Sequence, residues 1–517
     1  MGIKRYTADK DNTITNAYKL NLTSRATGSN MGAADILEVF SIYGQQTTSS
    51  AELSRALIQF PVDSISSDRT SGNIPESGSV SFYLRVFNAR HSEQLPRDLK
   101  VNVFAVSQSC EEGSGLDMES YGDITKDNIV GSNWINRLSS TPWGKIGGEY
   151  HSSSYIADQT MPNYTFTFNE GHEDLELDVT AAVEEWLSGT QENYGFGLFL
   201  TSSQEAYATA SDNEVLGNVA GATKSYYTKR FFSRSSEFFF KKPHIEARWD
   251  SRKKDQRGQF YYSSSLAPAD ENLNTVYLYN YIRGQLRNVP NIETGKIYVR
   301  IFSGSMENSE PSGSALTLVT DGTHVQGAAT MVVTGGWVET GIYTASFAVT
   351  AASDPLTKLF DVWYSGDSDN TEYFTGSITP LTVAAPSWNQ YSQYTNKITN
   401  LKPSYEKNEK ARFRVFTRPR NFSPTLYSVA TKDIENTIIP SASYEIIRMV
   451  DEHTVINNST GSSDYQTYLS YDASGSYFDL DMSLLEPGYL YGIKFAFHVS
   501  SDWREQEEVF KFRVEDN

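Results

Sequence analysis

The stretch LELDVTAAVEEWLSGTQENYGFGLFL (residues 175–200) predicts a short helix between two β-strands. At its start, Leu175 and Leu177 alternate with a polar residue, as in a strand that is buried on one face. The next apolar residues recur at helical spacing and share one face of a helix: Val179, Val183, Trp186 and Leu187. Gly189 can adopt the left-handed conformation that ends helices, and the run GFGLFL follows as the second strand. We therefore expect the helix to pack on a sheet, with Trp186 as its structural anchor.

Almost every other apolar run is typical of a strand, so the sequence predicts an all-β protein. A chain of 517 residues is too long for one hydrophobic core and suggests about three domains of ~150 residues each. Turn residues recur roughly every 8–12 residues, which is the spacing found in β-sandwiches. We place a first sandwich with the short helix at residues 1–250, an immunoglobulin-like sandwich at 259–386 and a third sandwich at 389–517.

Two polar segments separate these predicted domains. The charged run SRKKDQRG (251–258) is interpreted as a solvated connector, and APSWNQYSQY (385–394) as the second connector. Within the first domain, ALIQFPVDSI (56–65) is almost continuously apolar. We interpret it as one central strand that is buried on both faces.

Charge and cysteine content restrict the partners and the compartment. The formal net charge of −19 argues against a nucleic-acid partner, because binding phosphates requires a concentration of Lys and Arg. No stretch approaches the ~20 apolar residues of a membrane span, so we expect none. The N-terminal residues lack the apolar region of a signal peptide, and Cys110 is the single cysteine. Both observations favour assembly in a reducing cytoplasm.

No arrangement of residues predicts catalysis or a cofactor. The seven histidines are scattered singly, and the sequence contains no zinc-ligand spacing, phosphate-binding loop or nucleophile motif. Cys110 is followed by two glutamates, which raise rather than lower the pKa of a thiol. Adjacent carboxylates such as Glu184 and Glu185 are interpreted as solvated surface residues. We therefore expect a protein without enzymatic activity, cofactor or metal.

Two oxygen-rich segments share part of the pattern of a calcium loop. Asp9, Asp11 and Thr13 repeat its first ligand positions, but the Gly and Glu of the later positions are missing. The segment GDSDN (366–370) is explained by a hairpin turn between two strands. The preferred interpretation is that neither segment holds a metal ion.

Three aromatic residues, Trp134, Trp143 and Tyr150, lie in a long excursion between two predicted strands. Long loops within a compact domain often carry function. Because aromatic rings can stack against sugars, these residues are candidates for contact with a glycan or a protein partner. The alternative, which we prefer, is that they plug the end of the sandwich.

Residues 1–250 resemble the DNRLRE-type jelly-roll modules, which are close to some carbohydrate-binding modules. Five blocks carry the resemblance: DKDNTITNA (9–17), GSNMGAADILEV (28–39), RALIQFPVDSI (55–65), LDVTAAVEEWLSG with NYGFGLFL (177–189, 193–200) and KPHIEARW (242–249). The segment between Val106 and Tyr150 is an insertion into this pattern, and it resembles the form found in structural proteins of tailed bacteriophages. The C-terminal segments 443–456, 477–497 and 509–516 resemble virion proteins of T4-like marine phages.

The resemblance implies a jelly roll with two further sandwiches and a non-enzymatic, structural role in a tailed-phage virion. It implies docking to other virion proteins in the tail, the baseplate or a fibre attachment, in multiple copies, after assembly in the host cytoplasm. An alternative is a carbohydrate-binding adhesin that contacts host surface glycans through the jelly roll. A third interpretation, an accessory region of a secreted polysaccharide-degrading enzyme, is disfavoured because no signal peptide or catalytic domain is evident.

Overall fold

The structure is a computed structural model of the 517-residue chain. It describes residues 2–19, 21–43, 51–91, 97–116, 131–152, 161–209, 211, 214–223, 226–321, 329–350, 356–368, 371–381, 393–426, 436–461, 464–499 and 501–516. The chain divides into two compact units, Gly2–Trp249 and Asp250–Asn517. Both are built from β-sheets, as the sequence predicts. The helices of the described residues are short: Val62–Thr70, Thr180–Leu187 and the single turn Ala269–Asn272, with 3-10 turns at Phe239–Lys241, Gln256–Gly258 and Met482–Leu484.

The first unit is a sandwich of two antiparallel sheets, with a separate two-stranded hairpin of Asn136–Leu138 and Thr141–Pro142. The smaller sheet has the strand order Ile3–Thr7, His244–Arg248, Ser81–Val86, Leu175–Asp178. The larger, seven-stranded sheet has the order Tyr226–Phe232, Ile36–Tyr43, Ala51–Gln59, Phe196–Leu200, Leu99–Ala105, Asn163–Phe168, and Lys10–Thr15 also pairs with Ala51–Gln59. Apolar side chains from both sheets meet in one core, which includes Phe82, Val103, Leu198 and Ile245.

The predicted helix is Thr180–Leu187, and it lies between the strands Leu175–Asp178 and Phe196–Leu200. The indole ring of Trp186 is 5% exposed and lies 4.8 Å from the ring of Phe196, measured between ring centroids. Gly189 has a φ angle of 73°, which a residue with a side chain rarely adopts, and the helix ends just before it. The helix thus places its apolar face on the core of the sandwich.

The prediction of one strand over residues 56–65 is wrong. The strand Ala51–Gln59 ends two residues before Pro61, which has no N–H to donate to a neighbouring strand. The helix Val62–Thr70 follows, and its side chains of Val62 and Ile65, one turn apart, reach the core. The apolar run 56–65 therefore covers the end of a strand and the start of a helix, because a helix can also bury residues at this spacing. The first unit consequently has a second short helix that the sequence analysis missed.

The second unit contains two groups of sheets. In the first group, the strands follow the order Ala329–Thr330, Leu318–Val319, Ile342–Val349, Val333–Glu339, Ile297–Gly304, Lys358–Tyr364, Glu372–Ile378, and Asn274–Tyr279 pairs with Ile342–Val349. A hairpin of Tyr281–Ile282 and Gln285–Leu286 projects from this group. The core of this first group includes Phe260, Tyr343, Phe347 and Trp363.

The second group of this unit is a sandwich of a four-stranded and a six-stranded sheet. The four-stranded sheet has the order Tyr394–Ile398, Lys410–Pro419, Gly475–Asp481, Ser470–Asp472. The other has the order Ser404–Glu406, Phe510–Glu515, Leu490–Val499, Ala442–Arg448, His453–Ile456, and Asp502–Glu505 pairs with Leu490–Val499. Phenylalanine rings from both sheets fill its interior: Phe413, Phe478, Phe495 and Phe512.

The charged run 251–258 is not a solvated connector. Asp255 is 1% exposed, and the guanidinium of Arg257 donates to the carboxylates of Asp255 at 3.0 Å and of Asp361 at 2.6 Å. The backbone N–H of Asp255 donates to the carbonyl of Tyr471. Burial raises the pKa of Asp255 to about 6, although Arg257 opposes this rise. Asp255 and Arg257 thus form internal ion pairs of the second unit. Most of the second predicted connector, 385–394, lies outside the described residues.

We predict that Trp186→Ala lowers the free energy of unfolding of the first unit by about 3–5 kcal/mol, because it removes a large buried side chain. Leu187→Ala is the matched control on the same helix, since Leu187 is only partly buried, and it should cost much less. Urea unfolding of both variants measures the difference. Equal, small losses for the two variants would show that Trp186 is not the anchor.

Candidate functional site: the outer face of the seven-stranded sheet

The long excursion after Leu99–Ala105 packs on the face of the seven-stranded sheet that points away from the central core. On the strands, Leu53, Leu57 and Phe199 alternate with residues of the central core. These three side chains instead form a second apolar cluster with residues of the excursion, of which 106–116 and 131–152 are described. The sheet is therefore buried on both faces in this region.

The three candidate aromatic residues are buried in this second cluster. Trp134 and Tyr150 are 0% exposed and Trp143 is 4% exposed. The indole N–H of Trp134 donates to the carbonyl of Glu214 at 2.9 Å, and that of Trp143 to the carbonyl of Asn133 at 2.9 Å. The prediction that these rings form an accessible platform for a sugar or a partner is wrong, because the chain itself covers them. They pack inside the first unit, close to the alternative that the sequence analysis preferred.

A buried arginine stands at the centre of this cluster. Arg55, on the strand Ala51–Gln59, is 2% exposed, and its guanidinium donates to Glu205 Oε1 at 3.0 Å and to the carbonyl of Gly147 at 3.0 Å. Its Cζ atom lies 5.6 Å from the ring centroid of Trp134, 5.7 Å from that of Tyr150 and 4.8 Å from that of Phe199. Arginine is suited to this position because its planar guanidinium is weakly hydrated and can stack on aromatic rings.

Three glycines allow the rings to approach the backbone. A Cβ atom at Gly197 would lie 2.0 Å from a ring carbon of Tyr150, so only glycine leaves room for this ring on the strand. Gly147 and Gly148 have φ angles of 78° and 94°, and a Cβ atom at either would touch Trp134 or Tyr150. The segment GKIGGEY thus combines the backbone turn with the space that the aromatic side chains require.

A second charged group connects the start of the excursion to two other segments. The guanidinium of Arg234 donates to Glu112 Oε2 at 2.7 Å, and the backbone N–H of Arg234 donates to Asp11 Oδ2 at 2.6 Å. Asp11 Oδ1 accepts no hydrogen bond from the described residues. Burial raises the pKa of Asp11 to about 7, with a smaller contribution from the charge of Glu112. Asp11 is therefore partly protonated at neutral pH.

Neither oxygen-rich segment forms a calcium loop within the described residues. Asp11 and Thr13 lie on the strand Lys10–Thr15, where alternate side chains are spaced along an extended backbone and do not converge on one point. Asp11 lines a cavity of about 10 Å³, which is the size of a single water site. In the segment 366–370, Asp369 and Asn370 lie outside the described residues. No group of three or more His, Cys, Asp or Glu side chains in the described parts of the chain is arranged to hold a metal ion.

The environment of Cys110 explains the state of its thiol. Burial raises the pKa of Cys110 to about 11, so the thiol is protonated at neutral pH; the sequence analysis predicted this direction but attributed it to the neighbouring glutamates. Cys110 thus contributes apolar packing to the second cluster.

Among the described helices, none has the length and apolar character needed to cross a bilayer.

The most exposed tryptophan among the described residues was not among the candidates predicted from the sequence. Trp337, at a β-bulge of the strand Val333–Glu339, is 39% exposed, and its indole N–H donates to Asn288 Oδ1 at 3.1 Å. Tyr281, in the projecting hairpin of the same unit, is 57% exposed. The repeated glycines of the run GGWVETG were an available signal, because bulges and turns expose the residues they carry.

Comparisons with known proteins give no family. No protein-family model matches the chain, and no curated protein matches it. Among solved structures, the tandem Ig repeats of Dlar match 48% of this chain and 91% of their own, with 10% identity and a TM-score of 0.13. The native conformation of E. coli alpha-2-macroglobulin matches 98% of this chain with 8% identity and a TM-score of 0.15. The chain spans 28% of the length of that second protein.

We predict that Arg55→Met lowers the free energy of unfolding of the first unit by about 3–5 kcal/mol, because Glu205 is left buried without its partner. The double variant Arg55→Met/Glu205→Gln should lose clearly less, since it removes both charges. Arg85→Met is a matched control at a more exposed pair, with Glu176, and should cost about 1 kcal/mol or less. Chemical unfolding of the three variants gives the values. A double variant that is less stable than Arg55→Met would contradict a buried, mutually dependent pair.

Proposed function

We propose that this protein is a non-enzymatic structural component of a tailed-phage virion, which docks to other virion proteins in the tail, the baseplate or a fibre attachment. The observation that carries the proposal is the use of the excursion 106–152. In its described parts, 106–116 and 131–152, apolar side chains pack on the chain's own sheet, and Trp134 and Tyr150 are inaccessible to a ligand. An insertion that closes a sheet face adds rigidity, which is what a component of a permanent assembly requires.

The charged residues of the interior support the same proposal. Arg55 is paired with Glu205, Glu246 with Arg5 and Arg248, and Arg257 with Asp255 and Asp361. Such pairs favour one arrangement of the surrounding segments, because breaking a buried pair is costly. The family resemblance described above, with its phage-like insertion at 106–150, is the reason for proposing a tailed-phage virion as the assembly.

The seven-stranded sheet also offers an edge for docking. Among the described residues, Asn163–Phe168 is the last strand of this sheet, and it pairs with Leu99–Ala105 on one side. Asn163, Thr165 and Thr167 are exposed along it. An edge strand with free backbone groups can extend its sheet onto a partner strand.

Quantitative mass spectrometry of purified virions tests this proposal. We expect the protein at several copies per particle, retained through density-gradient purification and salt washes. A phage-encoded replication enzyme is the control, and it should be lost in the same steps. Absence of the protein from infectious, purified particles would overturn the structural role.

A carbohydrate-binding adhesin is the second candidate, favoured by the exposed ring of Trp337 rather than by the first unit. A glycan array probed with the full chain and with Trp337→Ala separates the two candidates. Binding that depends on Trp337 would favour the adhesin. No glycan binding above background by either protein leaves the structural role as the better account.

A further inference from the structure

A lysine is completely buried in the first unit. Lys229, on the strand Tyr226–Phe232, is 0% exposed. Its Nζ atom donates to Asn88 Oδ1 at 2.6 Å, to the carbonyl of Gly171 at 2.7 Å and to the carbonyl of Glu173 at 3.1 Å. It also lies 4.3 Å from the ring centroid of Phe168 and 5.2 Å from that of Phe231. A potential nucleophile is therefore held against a side-chain amide in an apolar, water-poor environment.

The amide of Asn88 is polarised from a second direction. The Nε2 atom of His91 lies 2.9 Å from Asn88 Oδ1. Burial lowers the pKa of His91 to about 4, and the charges of Lys229 and Arg230 act in the same direction, so the imidazole is neutral at pH 7. With Oδ1 as the acceptor, the neutral ring carries its proton on Nε2 and donates it. Two donors on one carbonyl oxygen make the Cγ atom of Asn88 more electrophilic.

The surroundings of Lys229 also favour the reactive form of its amine. Burial lowers the pKa of Lys229 to about 8, with Glu173 and Asp174 opposing this change. A measurable fraction of the amine is then neutral at pH 7 and carries a free electron pair. The backbone N–H of Asn88 donates to Asp174 Oδ1 at 2.8 Å, which holds Asn88 in place. Glu173 Oε1 accepts from the backbone N–H of Glu170 at 2.7 Å, and backbone hydrogen bonds hold the pKa of Glu173 below its usual range against the opposing effect of burial.

We propose that Lys229 and Asn88 form an intramolecular isopeptide bond. The electron pair of the neutral Nζ attacks Asn88 Cγ, and the carbonyl oxygen takes up negative charge while it accepts hydrogen bonds from His91. The bond between Cγ and the amide nitrogen then breaks. One proton moves from Nζ to the leaving nitrogen, and we assign its transfer to the carboxylate of Glu173, whose charge acts on Lys229. The products are a secondary amide and one molecule of ammonia, and no oxidant or cofactor is consumed.

The position of this bond gives it a structural consequence. Lys229 belongs to the seven-stranded sheet, and Asn88 follows the strand Ser81–Val86 of the four-stranded sheet. The bond would join the two layers of the sandwich covalently, across 141 positions of sequence. A chain whose single cysteine cannot form an intrachain disulfide would gain the corresponding restriction of its unfolded state. The bond would form whether or not the protein belongs to a virion.

Intact-mass spectrometry of the purified full-length protein tests the proposal without any variant. We expect a mass lower than the sequence mass by one ammonia, and a protease digest that contains the peptide of Asn88 joined to the peptide of Lys229. The full sequence mass after prolonged incubation at pH 8 would overturn the proposal. So would a loss of ammonia that maps to a cyclised asparagine elsewhere.

Variants then assign the reacting groups. Lys229→Arg should restore the full mass and lower the melting temperature. Lys241→Arg is the matched control, because Lys241 also lies near Asp174, at 3.9 Å, but contacts a ring of Phe87 rather than an amide. It should keep the loss of ammonia. Glu173→Gln should slow the appearance of the cross-linked form in freshly refolded protein. A cross-link at an unchanged rate in Glu173→Gln would remove that residue from the step, and ammonia loss in Lys229→Arg would overturn the bond itself.

Discussion

The buried ion pair between Arg55 and Glu205 determines how the first unit is closed. A guanidinium in the interior is stable only if neighbouring groups accept its hydrogen bonds and balance its charge. The segments that carry those groups must therefore be held next to it. The strand Ala51–Gln59 supplies Arg55, the segment after Phe196–Leu200 supplies Glu205, and the excursion supplies the carbonyl of Gly147. Three segments that are far apart in sequence are held in one arrangement by this requirement.

The same principle recurs elsewhere in the chain with different partners. Lys229 is enclosed by backbone carbonyls, an amide and two phenylalanine rings, and Arg257 by two carboxylates of the second unit. In each case a buried basic side chain defines the positions of segments that apolar packing alone would allow to shift. Hydrophobic contacts are non-directional, whereas the hydrogen bonds of a buried charge are directional. This explains how segments that are far apart in sequence reach one specific arrangement within each unit.

Local patterns in the sequence predict the local structure and little of the tertiary environment. The helix around Trp186 is predictable because its apolar spacing and Gly189 both act within one short segment. The helix Val62–Thr70 is missed because an apolar run of this length fits a strand or a helix, and only Pro61 marks the change. The charged run 251–258 is misplaced for a different reason, and the sheet face on which Trp134, Trp143 and Tyr150 pack is not predicted. Their burial depends on partners such as Asp361 and Arg55, and no local pattern reveals those contacts.

The described parts of the excursion, 106–116 and 131–152, make the outer face of the seven-stranded sheet part of the interior. Hydrogen–deuterium exchange of the full chain tests it most directly, because protection reports the stability of each backbone hydrogen bond. The account predicts that the amides of Trp134, Trp143 and Gly147, which donate within the excursion or to Thr27, exchange as slowly as those of the sheet strands. Exchange of these amides at the rate of an unprotected loop, beside protected strands, would contradict it.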